Sequence, residues 1–435
     1  MTTETVLPID REAVISRSKQ NNEPEWLSEL RLEALQAATR LELPKLEKTA
    51  IRRWKLDAYG SYRQEEKLTS LDSLPQQALD LLTASEADTN LLVQRNAEVV
   101  YDKLAEDLKA KGVVFTSLSA AVRDHEQLVR EYLFKAIGKD EHRLTALHAA
   151  YWSGGVFMYV PRNVQVEVPL QGLFIADEEG TTCAPHILIV AEDNSSVTYV
   201  DNTVSGPGVK ELVHSRAVEV FVKPGAKVTF ASVHHLNKGI VDISIRRAVV
   251  ENDGSIDWII GEMNDGNGLS DTTSILKGNG SKSNTRAVCI GMGEQQLDLT
   301  TRAVHIGKHS DSNMVTRAVM QDQATAIING ITKIEHGATH ANGEQTERVL
   351  MLSPQARGDA NPMLLIDEDE VTAGHAASVG QVDENQIYYM MSRGISREMA
   401  ERLIIYGFLE PIVKSIPLKE VSEQLQKLVE RKLER

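Results

Sequence analysis

One short sequence unit recurs along the second half of the chain and limits what it can fold into. The tetrapeptide Thr-Arg-Ala-Val occurs at Thr285–Val288, Thr301–Val304 and Thr316–Val319, and related Arg-Ala-Val or Arg-Val copies begin at Arg216, Arg247 and Arg348. The spacings between successive arginines are 31, 39, 16, 15 and 31 residues, so four of the five are one or two multiples of about 15.5. A short unit repeated in this way cannot bury its apolar face alone and must stack on its neighbours.

Apolar and polar residues alternate in short stretches from Gly154 to about His375. Examples are Val164–Val168, Ala217–Val222, Ile240–Ile245 and Gln296–Leu299, and turns rich in Gly, Asn and Asp separate them. Alternation with a period of two is typical of β-strands. Propeller blades repeat about every 40 residues, so the shorter spacing favours a parallel β-helix with one coil per repeat. Equivalent residues of successive coils should then stack about 4.8 Å apart.

Helical patterns flank this β block on both sides. A period near 3.6 follows Pro24, and Ser396 is placed to cap a second helical segment. We therefore predict an N-terminal helical domain over 1–145, a β-helix core over 146–383 and a C-terminal helical region over 384–435. Because bare strand edges invite aggregation, we expect the helices to cover the two ends of the stack.

Charge and composition restrict the partners of the chain. Lysine and arginine number 47 and aspartate and glutamate 62, which gives a net charge of −15. This balance argues against a general nucleic-acid or anionic-membrane binder. The chain contains no run of about 18 apolar residues, the length that a membrane-spanning helix needs. Its first thirty residues do not resemble a signal peptide. We therefore expect a cytoplasmic protein.

Cysteine content and motifs also argue against catalysis by the chain alone. Cys183 and Cys289 are its two cysteines, too few for a disulfide framework or for the four thiolates of an iron–sulfur cluster. Any cluster handled here would need ligands of another type or from another protein. Lys277–Ser283 has the wrong spacing for a phosphate loop, and Gly-x-Ser-x-Gly and His-Glu-x-x-His are absent. We predict a subunit with no catalytic motif of its own.

Several histidines are candidate metal ligands. His336 and His340 lie four residues apart, although Gly337 argues against a shared helical face and turn residues are the alternative. Cys289, His305 and Met320 each follow a repeat arginine by three positions, so consecutive coils would stack them into a column of soft ligands or into a filled interior ladder. His375 lies among small residues that leave its imidazole uncovered, so it is a candidate metal ligand, with a structural role as the alternative.

The segment around His375 resembles a known family. Asp367–Val371, Gly374–Gly380 and Gln386–Ile395 are similar to the C-terminal signature of the SufB/SufD family of iron–sulfur cluster assembly proteins, and Gly154–Pro161 resembles the family's entry into its β-helix. The chain resembles the SufD branch rather than the SufB branch, because it has no cysteine after Cys289 and has Ala376 where SufB carries a glutamate.

The resemblance implies a fold, partners and cofactors. The expected fold is mainly β, a right-handed parallel β-helix flanked by helical regions. The expected role is that of a non-ATPase subunit of the SUF complex that pairs with a SufB-like paralogue, docks a SufC-like ABC-type ATPase and supports iron acquisition and cluster assembly at the SufB–SufD interface. A homodimer is the expected state of the chain alone. Iron or a transient iron–sulfur cluster shared with the partner is implied, ATP enters only through the ATPase, and a flavin is left open.

The resemblance also assigns site residues. His375 matches the SufD histidine at the interface where a cluster is built, and Ala373 stands where some relatives carry a cysteine. Docking of the ATPase through the C-terminal helices is expected to involve Ser392, Arg393, Gly394, Ile395, Leu403 and Phe408. Two other functions stay open on the residues alone, namely a β-helix enzyme acting on polysaccharide and a purely structural solenoid.

Overall fold

The computed structural model describes residues 10–56, 65–79, 90–180, 183–414 and 419–433. Within these residues, parallel strands wind into a solenoid that has helices before and after it. The predicted mainly β architecture, a parallel β-helix with helices at both termini, is therefore confirmed. None of the helices in the described ranges combines the length and the apolar character that a membrane span needs.

Ten α-helices lie in the described residues. They are α1 (Arg11–Gln20), α2 (Glu25–Arg40), α3 (Gln76–Leu79), α4 (Glu106–Ala110), α5 (Leu118–Asp124), α6 (Glu126–Tyr132), α7 (Arg143–Tyr151), α8 (Glu384–Ser392), α9 (Arg397–Val413) and α10 (Lys419–Leu433). The Ser396 side chain accepts a hydrogen bond from the backbone N–H of Met399, so it caps α9 as predicted.

Nineteen strands lie in the same residues. They are β1 (Leu91–Arg95), β2 (Glu98–Lys103), β3 (Val114–Ser117), β4 (Val156–Val160), β5 (Leu170–Ala176), β6 (His186–Ala191), β7 (Ser196–Ser205), β8 (Leu212–Val222), β9 (Lys227–His235), β10 (Ile240–Val250), β11 (Ser255–Glu262), β12 (Gly268–Leu276), β13 (Lys282–Gly291), β14 (Gln296–His305), β15 (Asp311–Met320), β16 (Thr325–Ile334), β17 (Asn342–Met351), β18 (Arg357–Ile366) and β19 (Thr372–Gln381).

These strands form two facing sheets. The first has the order β19-β17-β15-β13-β11-β9-β7-β5-β1-β2, and the second has the order β18-β16-β14-β12-β10-β8-β6-β4-β3. From β4 onward the chain alternates between the sheets, and each strand pairs in parallel with the strand two positions later. One coil therefore consists of two strands, and β4 to β19 make about eight coils in the described part of the chain.

The prediction of one coil per repeat is wrong. Arg286 lies in β13 of the first sheet, Arg302 in β14 of the second and Arg317 in β15 of the first, so successive copies of the repeat mark half-coils. Lys282 pairs with Asp311, which makes this full coil 29 residues long. The two strands of a coil are similar in length, and the 15.5-residue period of the sequence therefore follows the strand rather than the coil.

The N-terminal segment is less uniformly helical than the sequence pattern indicates. Three strands, β1, β2 and β3, lie within the range 1–145 predicted as helical, and α7 runs across its boundary. β1 and β2 form an antiparallel hairpin whose turn contains Asn96 at a φ of 50°. Asparagine tolerates this left-handed conformation better than most residues, so the turn around Asn96 was the available signal for the hairpin.

The expectation that helices cover both ends is met only at the N-terminal end, where Leu108 of α4 packs into the interior cluster beside Leu92 and Phe115. The helices α2, α7, α9 and α10 lie on the outer faces of the solenoid and leave its C-terminal end uncovered, so the expectation is wrong for that end. An apolar cluster joins α2 and α7 to outward-facing residues of the second sheet such as Val213 and Ile243. A second cluster joins α9 and α10 to the outer face of the first sheet, where Leu409 and Leu425 pack near Val233.

The two ends of the solenoid are built differently. At the N-terminal end, β2 and β3 run antiparallel to their neighbours and terminate both sheets. At the C-terminal end, β18 and β19 are the last strands of their sheets and leave one side of each unpaired. Because Leu108 of α4 also packs into the interior at the N-terminal end, the interior is covered at that end and open at the other.

Stacked corners hold successive coils in register on one side of the solenoid. Asp253, Gly280, His309 and His340 all have positive φ angles. Backbone N–H groups connect them in series: Gly280 donates to Lys308, His309 donates to Thr339 and His340 donates to Glu370. A side chain at Gly280 would place its Cβ 2.4 Å from the Asp253 carboxylate, so this corner requires glycine for space as well as for its φ of 67°.

Candidate functional site at the open end of the solenoid

The open end exposes apolar side chains on unpaired strands. Met363, Leu365 and Ile366 of β18 and Val379 of β19 are all more than one third exposed, and Leu365 reaches 49 %. Unpaired strand edges offer free N–H and C=O groups to another chain, and contiguous exposed apolar residues mark interaction surfaces. This end of the molecule therefore has both features of a protein interface.

His375 lies on β19 at this end. Its Cα is in register with Gln345 of β17, whose side chain is buried in the interior, so His375 continues an inward-facing column at the last coil. The imidazole is exposed and has no hydrogen-bond or ion-pair partner among the described residues. Its neighbours Ala373, Gly374 and Ala376 are small, as the sequence indicates. The geometry therefore leaves His375 free to contact a ligand or a partner.

A buried carboxylate lies in the coil directly beneath. Glu347 of β17 is in register with Ala377 of β19 and is 1 % exposed. Neither of its carboxylate oxygens has a hydrogen-bond partner among the described residues. Burial raises the pKa of Glu347 to about 7, because a charged carboxylate loses its hydration there. No local sequence pattern identifies this residue as functional.

The predicted column of Cys289, His305 and Met320 does not form. Cys289 is in register with Ala318, and His305 lies in the opposite sheet beside Ile334. Cys289 packs in an apolar cluster with Met320, and burial raises the pKa of its thiol to about 12. Its thiolate form, which is the metal ligand, is therefore disfavoured.

His305 is buried between two hydroxyl groups. Its Nδ1 lies 2.9 Å from Ser310 Oγ and its Nε2 lies 2.8 Å from Ser312 Oγ. Burial lowers the pKa of His305 to about 4, because it penalises the charged imidazolium. Both ring nitrogens already have partners, which favours the alternative of a satisfied interior side chain.

His336 and His340 lie on an exposed turn between β16 and β17. The side chain of His336 is 90 % exposed and lies 3.6 Å from Glu368, whereas His340 lies 3.8 Å from Glu370. The ring of His340 stacks on that of His309 with centroids 4.8 Å apart. The structure therefore pairs each of these two histidines with a different glutamate of the next coil.

The residues predicted to dock an ATPase occupy the hairpin of α8 and α9. Ser392 donates to the carbonyl of Tyr389, and the guanidinium of Arg393 lies 5.3 Å from the centre of the Tyr389 ring. Gly394 has a φ of 86° and open space around it, and Ile395 follows. The turn between the two helices is therefore exposed and held by local contacts.

Leu403 and Phe408 have different surroundings on α9. Leu403 is 45 % exposed and, with Tyr388, Tyr389, Met391 and Met399, forms an exposed group that we call the hairpin patch. An open groove of about 480 Å³ adjoins it, lined by Asn385, Gln386, Tyr389, Met390, Leu403 and Ile404. Phe408 instead packs against the solenoid, where Arg317 of β15 donates to its carbonyl and covers its ring.

The interior of the middle coils contains a polar network that sequence reasoning missed. Asp242 accepts hydrogen bonds from His214 Nδ1 at 2.7 Å and His234 Nδ1 at 2.6 Å. Arg216 links His234 Nε2, at 2.6 Å, to Asp201, at 2.7 Å. Burial alone would raise the pKa of Asp242, but the two imidazoles hold it well below its usual range. Burial lowers the pKa of His214, although Asp242 opposes this shift.

An adjoining ion pair extends the network by one coil. Arg246 binds Glu262 at 3.1 Å and Ser270 at 2.8 Å, and Asn264 donates to Asp242 at 2.8 Å. Polar residues at alternate positions within a strand, such as Asp242-x-Ser244-x-Arg246, were the available signal. This alternation did not reveal which face of the strand points inward, because the apolar face would ordinarily be expected in the interior.

His214, His234 and Asp242 are close enough to hold a metal ion, since their ligand atoms lie within 4.8 Å of one another. The contact with Arg216 disfavours metal binding through Nδ1 of His234, because it fixes the tautomer of that imidazole. A guanidinium only donates, so His234 Nε2 must accept and its Nδ1 must carry the proton given to Asp242. A metal on Nδ1 would move that proton to Nε2, opposite the guanidinium N–H. The arrangement therefore fits a paired structural network.

Two protein-family models match the chain. The model of the SufBD core domain of the SUF system for FeS cluster assembly matches residues 174–408, and the model of the SufBD N-terminal region matches residues 15–172. The chain belongs to the SufB/SufD family. The core match begins in β5 and ends in α9, so it includes the open end with His375 and the whole hairpin patch.

Two relatives from Bacillus subtilis place the chain within the family. It is 47 % identical to the iron-sulfur cluster assembly protein SufD over 100 % of both chains. It is 28 % identical to the iron-sulfur cluster assembly protein SufB, over 98 % of this chain and 93 % of SufB. A SufBD family protein of Staphylococcus epidermidis is also 28 % identical, over 96 % and 91 % of the two chains. The chain is thus more similar to SufD than to SufB of Bacillus subtilis.

Proposed function

We propose that the chain is a non-catalytic, SufD-like subunit of an iron–sulfur cluster assembly complex, and that it pairs with a SufB-like paralogue through the open end of its solenoid. The observation that carries this proposal is the open end itself. There the edges of β18 and β19 are unpaired, apolar side chains are exposed, and the imidazole of His375 has no partner among the described residues. A second solenoid with a similar open end would satisfy the unpaired backbone groups.

At such an interface, iron or a nascent iron–sulfur cluster is the cargo and His375 is this chain's ligand. Imidazole is a suitable ligand for iron, and the two cysteines of the chain are buried, with pKa values raised to about 12. The thiolates that a cluster needs therefore come from the partner. The chain's contribution is to present one imidazole at a fixed position.

The hairpin patch supports docking of a SufC-like ATPase. Exposed aromatic and methionine side chains beside a groove are typical of protein-binding surfaces, and α9 continues from this patch onto β13 and β15. Contact of Arg317 with Phe408 connects the helix to the same sheet that ends in β19. Movement of a docked ATPase during ATP hydrolysis would therefore reach the open end through α9.

The test is His375→Ala in the full complex, purified after co-expression with its SufB-like and SufC-like partners. We expect the complex to assemble and to lose most of its iron and sulfide, because the substitution removes a ligand without changing a buried contact. His309→Ala is the matched control, since it removes another exposed histidine at a corner two coils before the open end. Undiminished iron and sulfide in the His375 variant would contradict the proposed role.

A further inference from the structure

The interior of the last coils contains four buried oxygen atoms that have no hydrogen-bond partner in the described part of the chain. Two belong to the Glu347 carboxylate, and the others are the hydroxyl groups of Thr301 and Thr316. Thr316 of β15 is in register with Glu347 of β17, and Thr301 of β14 is in register with Gly330 of β16. All three side chains face inward, and each of these residues is at most 4 % exposed.

Gly330 brings the two sides of this group together. A Cβ on Gly330 would lie 1.9 Å from Glu347 Oε1, so the carboxylate reaches across the interior to the opposite sheet and fills the space that glycine leaves. Because Thr301 is the register neighbour of Gly330, its hydroxyl lies on the side of the interior that Glu347 approaches. The register therefore places a carboxylate and two hydroxyls on adjacent coils in the same part of the interior.

This carboxylate has no counter-charge among the residues that the structure describes. Arg348 follows Glu347 in sequence but faces outward and is exposed, and Arg317 is directed to Phe408 on the outer face. Buried carboxylates elsewhere in the interior, such as Asp201 and Glu262, each bind an arginine. An isolated buried charge costs several kcal/mol or more, so Glu347 must hold either a proton or a cation from outside.

We propose that Glu347, with the hydroxyls of Thr301 and Thr316, binds a divalent cation, Fe²⁺, one coil beneath His375. Carboxylate and hydroxyl oxygens are ligands for hard and borderline divalent metals, and a carboxylate combined with imidazole is typical of non-haem Fe(II) sites. The choice of iron rests on the proposed function, whereas the site itself rests on the geometry. The chain would then hold iron by itself before the partner's ligands complete a cluster.

The path to this site leads from the open end. Ala377, the register neighbour of Glu347 in β19, has only a methyl group above the carboxylate. His375 lies two residues earlier on the same inward-facing side of β19. From the strand spacing and rise, the Cα atoms of His375 and Glu347 are roughly 8 Å apart. A cation at Glu347 therefore lies within reach of the interface at which His375 is exposed.

The experiment is an anaerobic Fe²⁺ titration of the purified full-length chain, with equilibrium dialysis and iron analysis, and with Mn²⁺ as a redox-stable probe observed by EPR. Glu347→Gln keeps the side-chain shape and removes the charge. Glu344→Gln makes the same change on the same strand, but its side chain is exposed. Thr316→Val removes one hydroxyl and keeps the β-branched shape.

We expect one Fe²⁺ per chain in the wild type and in Glu344→Gln. Changes to groups that only support a metal ligand already cost 10–100-fold in affinity, so Glu347→Gln should weaken binding by more than about tenfold and Thr316→Val should weaken it less. Fe²⁺ should also raise the melting temperature of the wild type and not that of Glu347→Gln. Equal binding by wild type and Glu347→Gln, or no stoichiometric binding by the wild type, would overturn the proposal.

Failure of this inference is distinguishable from failure of the proposed function. His375→Ala is assayed by the cluster content of the full complex, whereas Glu347→Gln is assayed by iron binding to the chain alone. If His375→Ala loses cluster content but Glu347→Gln binds iron like the wild type, only the inference about Glu347 is refuted. If His375→Ala keeps its cluster content but Glu347→Gln loses iron binding, only the role of His375 is refuted.

Discussion

The middle and the last coils of the solenoid treat buried charge in opposite ways. In the middle coils, Asp201, Arg216 and Asp242 belong to one connected network in which each charge has a partner. In the last coils, Glu347 has none among the described residues, and the solenoid ends one coil later with unpaired strands. In the middle coils the folded chain itself neutralises each buried charge. In the last coils the Glu347 carboxylate needs a proton or a cation from outside the chain.

The largest effect should come from removing the central acceptor of the paired network. Asp242→Ala leaves His214, His234 and Asn264 without their common acceptor. Breaking a buried ion pair by removing one partner costs about 3–5 kcal/mol, and we expect this loss in the free energy of unfolding measured with denaturant. Asp369→Ala, at an exposed position, should change it by less than about 0.5 kcal/mol. Equal stability of the two variants would mean that the network is not structural.

In metal-free protein, neutralising Glu347 should increase the free energy of unfolding near neutral pH, whereas removing Asp242 decreases it. The pKa of Glu347 is raised from 4.5 to about 7, so the folded state binds a proton more tightly than the unfolded state. Its contribution to stability is therefore present below pH 4.5 and is lost as the pH rises to 7. The loss amounts to about 3 kcal/mol. In Glu347→Gln this loss is absent.

Denaturant unfolding between pH 4.5 and 8 in the presence of a chelator measures this effect. The free energy of unfolding of Glu347→Gln should increase relative to that of the wild type as the pH rises, and Glu344→Gln should follow the wild type. Parallel curves for the wild type and Glu347→Gln would show that the carboxylate is paired in solution, and the contrast between the two regions would then disappear.

The smallest effect on folding is expected at the open end. Leu365→Lys alters an exposed side chain of β18, so the stability of the chain should change by no more than about 0.5 kcal/mol. Pairing with the SufB-like paralogue should nevertheless weaken, because a charge enters an apolar interface, and co-purification measures this. Leu403→Lys in the hairpin patch is the matched control, and it should weaken ATPase docking but not pairing. The reverse pattern would mean that the two surfaces are wrongly assigned.

Sequence patterns predicted the β-helix and its flanking helices because alternation and helical periodicity are local properties. The coil length was wrong, since Arg286 and Arg302 belong to opposite sheets although they are 16 residues apart. A repeat measures the distance between similar strands and does not reveal which sheet each strand joins. The error in the column of Cys289 and His305 followed directly from this one.

The site was only partly predictable for a related reason. His375 was found through its family resemblance, and its exposed position depends on β19 being the last strand. The role of Glu347 depends on Gly330 and Thr301 in the opposite sheet, and no local pattern joins residues that are 17 and 46 positions apart in sequence. The pairing of Asp242 with His214 and Arg216 with Asp201 depends on the same long-range register.

The closed N-terminal end limits how such chains can associate. If two solenoids join through their open ends, each uses the end that exposes unpaired parallel strands and apolar side chains. At each outer end the antiparallel strands β2 and β3 interrupt the parallel stack, and Leu108 of α4 covers the interior. Growth then stops at two subunits, because an assembly becomes a filament only when every member keeps a free site for the next. The short hairpin at the start of the sheets would thus fix stoichiometry at a distance from the site where iron is handled.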